Sequence, residues 1–280
     1  MPAADGKSKT VPCACCAGLV FKPALECEGF SFVRCCSCNL VQRNPQPLKE
    51  EIITRYKSIY GNNYLSYELE NEAAFLKLQL LSLKDAGFDK LEKEIFSRTK
   101  EPRILDIGCA TGALLDNLRN KGWHVTGVEI SPCAEYAVHT RKLDVKNIPL
   151  EANNFPDCSF DVVLASHLIE HLNAPSAFLK ETFRILKNNG YCFITTPNIS
   201  GFQARLFASR WRSAIFDHLY LFSAASLSGL LRKTGFKIEK IRTWGGLGAG
   251  YAPLWLKKCV DVLAKKLGFG DVMIVRGRKI

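Results

Sequence analysis

Three groups of residues in this chain have types and spacings suited to chemistry. The first is a pair of cysteine pairs, Cys13-x-x-Cys16 and Cys35-x-x-Cys38, separated by residues 17–34. Four thiolates at that spacing match a zinc ribbon, in which one tetrahedral Zn2+ folds a segment too short to build its own core. Four protein ligands leave no open position for a substrate, so the expected role is structural. Cys15, Cys27 and Cys36 are spare thiols, and moving the register to Cys15 or Cys36 spoils the two-residue gaps. The competing reading is a set of unmetallated thiols.

The second group lies in "ILDIGCATGALL", Ile104 to Leu115, where an apolar run ends in Asp106 and then turns through Gly108 and Gly112. A glycine turn between a strand and its helix lets backbone approach a ligand and aims unsatisfied N–H groups at it. A phosphate loop needs Lys and then Ser or Thr after the second glycine, but Gly112 is followed by Ala113, Leu114 and Leu115. A dinucleotide fingerprint needs glycine at 108, 110 and 113, and the chain has Gly108, Ala110 and Ala113. What remains is Asp106 before the turn and Glu129 at the end of the next strand, about 20 residues on, where a carboxylate suits the two hydroxyls of a ribose. The pattern fits a nucleoside without a pyrophosphate.

The third group is "SHLIEHL", with His167, Glu170 and His171 following a later strand. A neutral imidazole can accept a proton from an acidic hydroxyl at working pH. The competing reading for each histidine is packing or capping, and Glu170 is expected to be structural.

Elements that would position these groups are legible around them. From Arg103 onward, short apolar runs alternate with helical stretches: "RILDIG", "GALLDNLRNKG", "WHVTGVEIS", "PCAEYAVHTRK", "FDVVLASH", "APSAFLKETFRILKNNG" and "YCFITTPN". Such alternation predicts an α/β fold, a parallel sheet covered by helices on both faces. "FKIEKIRTW" and "DVMIVRGRK" add two strands, for about seven in all, with a third strand near "VKNIPL". Before this core, "EAAFLKLQLLSLKDAGFDKLEKEI" repeats apolar positions at helical spacing. The predicted organisation is a zinc ribbon over 1–48, a helical linker or lid over 49–98, and a core over 99–280 with basic insertions at 201–222 and 245–270.

"LDIGCATG", "GVEIS", "FPDCSFDVVLASHLIEHL" and "LKNNGYCFITTPN" occur in the order of the class I S-adenosylmethionine-dependent methyltransferases, and the chain resembles that family from about Arg103 to Asn198. Ala110 departs from it, standing where a middle glycine is common. The resemblance implies a seven-stranded Rossmann-like methyltransferase core with S-adenosyl-L-methionine as cofactor. It implies that Asp106, Gly108, Cys109 and Gly112 line the methionine end and that Glu129 holds the ribose. Ile130 would pack on the adenine, Glu151 and Ala152 would flank it, and Ala165 would lie under the sulfonium. "FDHLYLFSAASL" resembles a family stretch that brings His218 and Tyr220 over the same edge, making His218 a second base candidate beside His171 and His167. Tyr56, Tyr60, Tyr64 and Tyr67 fall where the family often has a lid. Ribbon followed by core is similar to a bacterial group near the ubiquinone-pathway O-methyltransferases and sugar or small-molecule methyltransferases.

Composition bounds the partners. The chain has 280 residues, 47% apolar, enough for one medium domain and a small appendage. The first ten residues lack a signal-peptide pattern and no run approaches a membrane span, so a soluble cytoplasmic protein is expected, with its twelve cysteines as metal ligands or free thiols. The formal charge is +11, and residues 201–280 hold 15 Lys and Arg against 4 Asp and Glu, so the whole excess lies there. Amphipathic helices in "FQARLFASRWR" and "PLWLKKCVDVLAKKLGF" fit contact with a membrane surface or a lipid-linked substrate, against the plainer reading of helices packed on their own domain. The expected acceptor is a small molecule carrying a hydroxyl. Nucleobase chemistry is disfavoured, because "ASHL" replaces the Asn-Pro-Pro-Tyr of amino-methylating enzymes and no cysteine serves cytosine chemistry. An RNA methyltransferase ranks second, and a non-catalytic cofactor-binding subunit is the non-enzymatic alternative.

Overall fold

A computed structural model of the chain describes residues 8–54, 61–246 and 253–280. In chain order its elements begin with β1 (Ser8–Lys9), β2 (Phe21–Cys27), β3 (Phe30–Cys35), β4 (Val41–Arg43), β5 (Gln46–Pro47), α1 (Lys49–Thr54), α2 (Gly61–Asp85) and α3 (Phe88–Arg98). The core follows: β6 (Arg103–Ile107), α4 (Ala113–Arg119), β7 (His124–Val128), α5 (Cys133–His139), β8 (Val145–Lys146), β9 (Phe160–Ser166), α6 (Pro175–Ile185) and β10 (Leu186–Pro197). Last come α7 (Phe202–Phe207), β11 (Tyr220–Leu221), α8 (Ala224–Thr234), β12 (Phe236–Trp244), α9 (Leu254–Leu267) and β13 (Val272–Lys279).

Seven strands form the central sheet in the order β12-β13-β10-β9-β6-β7-β8. The central strands are near-continuous apolar runs because both faces are covered. Alternation divides them between two cores: Leu105, Val163 and Ile194 pack with α6 and α8, whereas Ile104, Val162 and Phe193 pack with α3 and α4. The sheet is not wholly parallel as expected. β13 runs antiparallel to both β10 and β12, reached through the short turn that follows α9. The chain steps outward from β6 through β7 to β8 and then returns to β9, so the order reverses beside β6, where open α/β sheets bind ligands.

The predicted helical stretch before the core is two helices, α2 and α3, divided at Gly87, whose φ of 86° favours a residue without a side chain. Tyr56 and Tyr60 lie outside the described residues, as do 247–252 of the second basic insertion.

The first insertion belongs to the cysteine-rich segment. β11 pairs with β4, giving a four-stranded sheet in the order β11-β4-β3-β2. Cys13, Cys35 and Leu40 share one core cluster with Leu219, Tyr220 and Phe222. The amphipathic helix expected through "FQARLFASRWR" stops after α7, and the chain turns at Ala208, with φ 48°, to bury Trp211. α9 is helical as expected, with Ala264 buried and Val262, Leu263 and Leu267 exposed. No helix among the described residues is long and apolar enough to cross a membrane.

Candidate active site

The glycine turn after β6 is built from left-handed backbone. Gly108 and Gly112 both have φ 78°, and Ala110 adopts φ 46°, a conformation sparsely populated by residues with a Cβ. Glu129, at the end of the neighbouring β7, holds the turn in place. Its Oε2 accepts from Ala110 N at 2.9 Å and its Oε1 from Ser131 N at 2.8 Å. Two bonds leave lone pairs on a carboxylate free for ligand hydroxyls.

A cavity of about 1150 Å³ opens over the carboxyl ends of β6, β7, β9 and β10. Gly108, Cys109, Glu129, Ile130, Glu151, His167, His171 and His218 all line it, so the turn and the histidines share one space. Four of the predicted residues do not reach its wall. Asp106 is 2% exposed beneath the turn, where burial and then the charge of Glu129 push its carboxyl up to about 7. Gly112 faces the protein, since a Cβ there would lie 2.5 Å from Leu143 Cδ1. Ala165 is buried within β9, and its successor Ser166 faces the cavity. Ala152 is exposed, while Glu151 and Leu150 supply that wall.

α2 covers the turn, with Tyr64, one of the tyrosines expected in a lid, in the wall beside Glu68 and Glu72, two lining residues that escaped the sequence analysis. Glu72 accepts from Thr111 Oγ1 at 2.7 Å and from Arg141 at 2.5 Å, which pins α2 to the turn and to the end of α5. Burial raises the Glu68 carboxyl, opposed by a hydrogen bond from Tyr64 and reinforced by Glu129. These are contacts 39 and 69 residues apart, with no local pattern to announce them. Arg212 and Asn173 line the other end.

That other end holds the histidines. His171 Nδ1 lies 3.0 Å from Asp217 O, and His218 Nδ1 lies 2.8 Å from Ser213 O. A carbonyl only accepts, so each Nδ1 carries the proton and a neutral ring keeps its lone pair on Nε2. The two rings meet edge to face at 4.6 Å. Burial, then the neighbouring His171, lowers His218 to about 4 and keeps it neutral at physiological pH. Glu170 is fully buried, accepting from Thr196 Oγ1 at 2.9 Å and lying 3.3 Å from His167 Nδ1. Burial opposes its ionisation, but the bond from His167 and the surrounding imidazoles hold it at about 2. His167 has φ 51°, backbone strain of the kind that collects at functional sites. Ligand atoms of Glu170, His171 and His218 lie within 4.8 Å of one another, a grouping that could also hold a cation.

The cysteines form a separate cluster. Sγ atoms of Cys13 and Cys38 are 3.3 Å apart, those of Cys16 and Cys35 are 3.4 Å apart, and all four lie within 4.8 Å. Tetrahedral zinc at Zn–S of about 2.3 Å needs sulfurs about 3.8 Å apart, so the four fit that ion. Among the described residues Cys15, Cys27 and Cys36 stand outside the group. Burial would raise the Cys35 thiol, but backbone N–H groups of Cys38 and Ser37, with the Cys16 and Cys13 thiols, bring it down to about 6.

The fold now carries a family. Residues 73–241 match the model of a family described as a methyltransferase domain, more than half of the chain. The chain belongs to that family. Its fold is that of the class I S-adenosylmethionine-dependent methyltransferases. A SAM-dependent methyltransferase of Thermotoga maritima superposes with a TM-score of 0.56 at 25% identity, covering 82% of this chain and 99% of that one. A ubiquinone biosynthesis O-methyltransferase of Psychrobacter arcticus is 28% identical over 181 residues, 57% of this chain and 68% of its own length. Another, from Dechloromonas aromatica, is 32% identical over 104 residues, 34% of this chain and 44% of its own. The match to that methyltransferase thus spans less than half of its length. The cysteine cluster lies before the matched family segment.

Proposed function

We propose that this methyltransferase transfers a methyl group from S-adenosylmethionine to a hydroxyl of a small molecule, a glycan, quinone-like or lipid-linked precursor. The observation that carries the reading is the pair of imidazoles, His171 and His218, lining the same cavity as Glu129 and the glycine turn. When bound, the cofactor supplies an electrophilic methyl on a positively charged sulfur. Glu129 would accept from the ribose hydroxyls, Ile130 and Glu151 would flank the adenine, and backbone at Gly108 and Cys109 would line the methionine portion. α2 would exclude water through Tyr64 and Glu68.

At the far end an acceptor hydroxyl would hydrogen-bond to Nε2 of a neutral imidazole. That nitrogen would take the hydroxyl proton as the methyl leaves sulfur, which keeps the electron pair, for oxygen, and holding acceptor and donor in place would contribute about 7 to 11 kcal/mol. His218 is held neutral by burial, so it is in the protonation state that can accept a proton. Glu170 carries the negative charge that stabilises the imidazolium so formed.

The curated relatives named for ubiquinone biosynthesis are O-methyltransferases by name, which supports an oxygen acceptor here. Exposed Phe202, Leu206, Leu263, Leu267 and Phe269, with Arg205 over the Phe269 ring, support an acceptor with a lipid portion or contact with anionic lipid. The ribbon would hold one structural zinc.

The test is labelling of a cell extract with methyl-labelled S-adenosylmethionine and the pure protein, followed by identification of the product. A labelled ether on a small molecule is expected. Label found only in RNA, or none with a protein that binds the cofactor, would overturn the proposal in favour of the RNA enzyme or the non-catalytic subunit.

A further inference from the structure

His218 sits in an irregular segment between Trp211 and β11, and the backbone on either side of it is held from the cysteine-rich sheet. Arg43 N donates to Leu219 O at 2.8 Å, and Arg43 Nη1 donates to Phe216 O at 2.8 Å. The same guanidinium stacks 3.8 Å from the Phe216 ring centre. Beyond His218, Tyr220 and Leu221 pair with Gln42 and Val41 of β4. From the core, Leu219 N reaches Glu170 O at 2.8 Å. One arginine of β4 thus bridges both sides of the histidine.

β4 is in turn fixed by both cysteine pairs. It starts three residues after Cys38, and Cys35 N donates to Leu40 O at 2.9 Å. Gln42, wholly buried, donates from Nε2 toward Pro12 O at 3.3 Å and accepts from Ala14 N at 3.2 Å, which grips the turn around Cys13. The four sulfurs therefore close the frame from which Arg43 projects. Without a metal, two short thiol turns and a few strand bonds would have to hold it, and segments of this size seldom sustain themselves.

We infer that the metal-loaded ribbon is a positioning device for the active site: zinc on Cys13, Cys16, Cys35 and Cys38 fixes β4, and Arg43 on β4 fixes His218 against His171. This deepens the proposed function, resting on His218 as the proton acceptor, and makes the ribbon a determinant of turnover. The glycine turn and Glu129 stand on other strands, so cofactor binding is expected to be independent of it.

The experiment compares protein as purified, protein stripped by chelator with its zinc content measured, and the variant Arg43→Ala with its cysteines intact. Each is assayed by hydrogen exchange read by mass spectrometry, by calorimetry with S-adenosylhomocysteine and by turnover. Zinc near one per chain is expected. In both altered proteins, exchange over residues 213–222 is expected to rise at least tenfold while residues 104–115 stay protected. Cofactor affinity should stay within twofold, and kcat should fall by about 100-fold, the low end for loss of a placed base. Zinc returned to the stripped protein should restore protection and kcat together. Unchanged exchange at 213–222 in Arg43→Ala, or absence of zinc, overturns the inference, and the variant keeps the test usable if the stripped protein unfolds. Raised exchange with undiminished turnover would uphold the positioning of the segment and instead sink the role of His218 as base.

Discussion

Ala110 donates its backbone N–H to Glu129 Oε2 at 2.9 Å, across 19 residues of sequence and between the ends of two neighbouring parallel strands. The left-handed φ of Ala110 is thus stabilised by the carboxylate proposed to hold a ribose. Removing that carboxylate should cost both the ligand and the turn. Glu129→Ala is expected to lower stability by about 1 to 3 kcal/mol through unsatisfied N–H groups. Glu129→Gln, which keeps one acceptor oxygen, should lose about half of that. Denaturant unfolding of both variants checks the order.

Asp106 gives a pH signature. Its folded carboxyl lies at about 7 against 3.8 for an unperturbed one, because burial and Glu129 disfavour the charge. Between those values the folded chain holds a proton that the unfolded chain has released, so its contribution to stability declines as pH rises through that window. A cationic ligand above Asp106 favours the ionised form. Binding of S-adenosylmethionine at pH 6 should therefore release a proton, seen as buffer-dependent heat in calorimetry. Asp106→Asn should abolish the buffer dependence.

The two glycines of the turn should respond differently. At Gly112 an added Cβ would lie 2.5 Å from Leu143 and 3.2 Å from Ala137 in a backbone with φ 78°. At Gly108 the φ is the same, but the nearest atoms belong to Leu168 at 3.6 Å and beyond. Gly112→Ala is expected to destabilise the fold by about 2 to 4 kcal/mol through strain and overpacking. Gly108→Ala should cost about 1 kcal/mol and act mainly on ligand affinity. Melting curves with and without S-adenosylhomocysteine separate the two effects.

With an acceptor in hand, the acid limb of kcat/KM should fall near pH 4, where burial and His171 place His218. His218→Ala should remove that limb and lower kcat by about 100-fold or more. A limb near 6.5 that survives His218→Ala would assign the proton to another group.

Much of this was legible in the chain. Strand and helix alternation from Arg103, the turn at Gly108 and Gly112, and the spacing of Cys13, Cys16, Cys35 and Cys38 are local patterns, and each appears where it was expected. Cavity walls are another matter. Side chains alternate across a strand, so Ala165 enters the core and Ser166 the cavity, a difference of one position that apolar pattern alone leaves open. The clamp of Glu72 on Thr111 and Arg141, and the pairing of Val41 with Leu221, join segments far apart in sequence. Charge pattern suggested one amphipathic helix in 201–222, where burial of Trp211 and the pairing of β11 with β4 prevailed.

The central claim is that the turn and Glu129 hold the adenosyl portion of the methyl donor. Calorimetric titration of the pure protein with S-adenosylhomocysteine tests it most directly. One site per chain is expected, weakened at least tenfold in Glu129→Ala. Absence of binding heat at any temperature, or equal affinity in the variant, would contradict it.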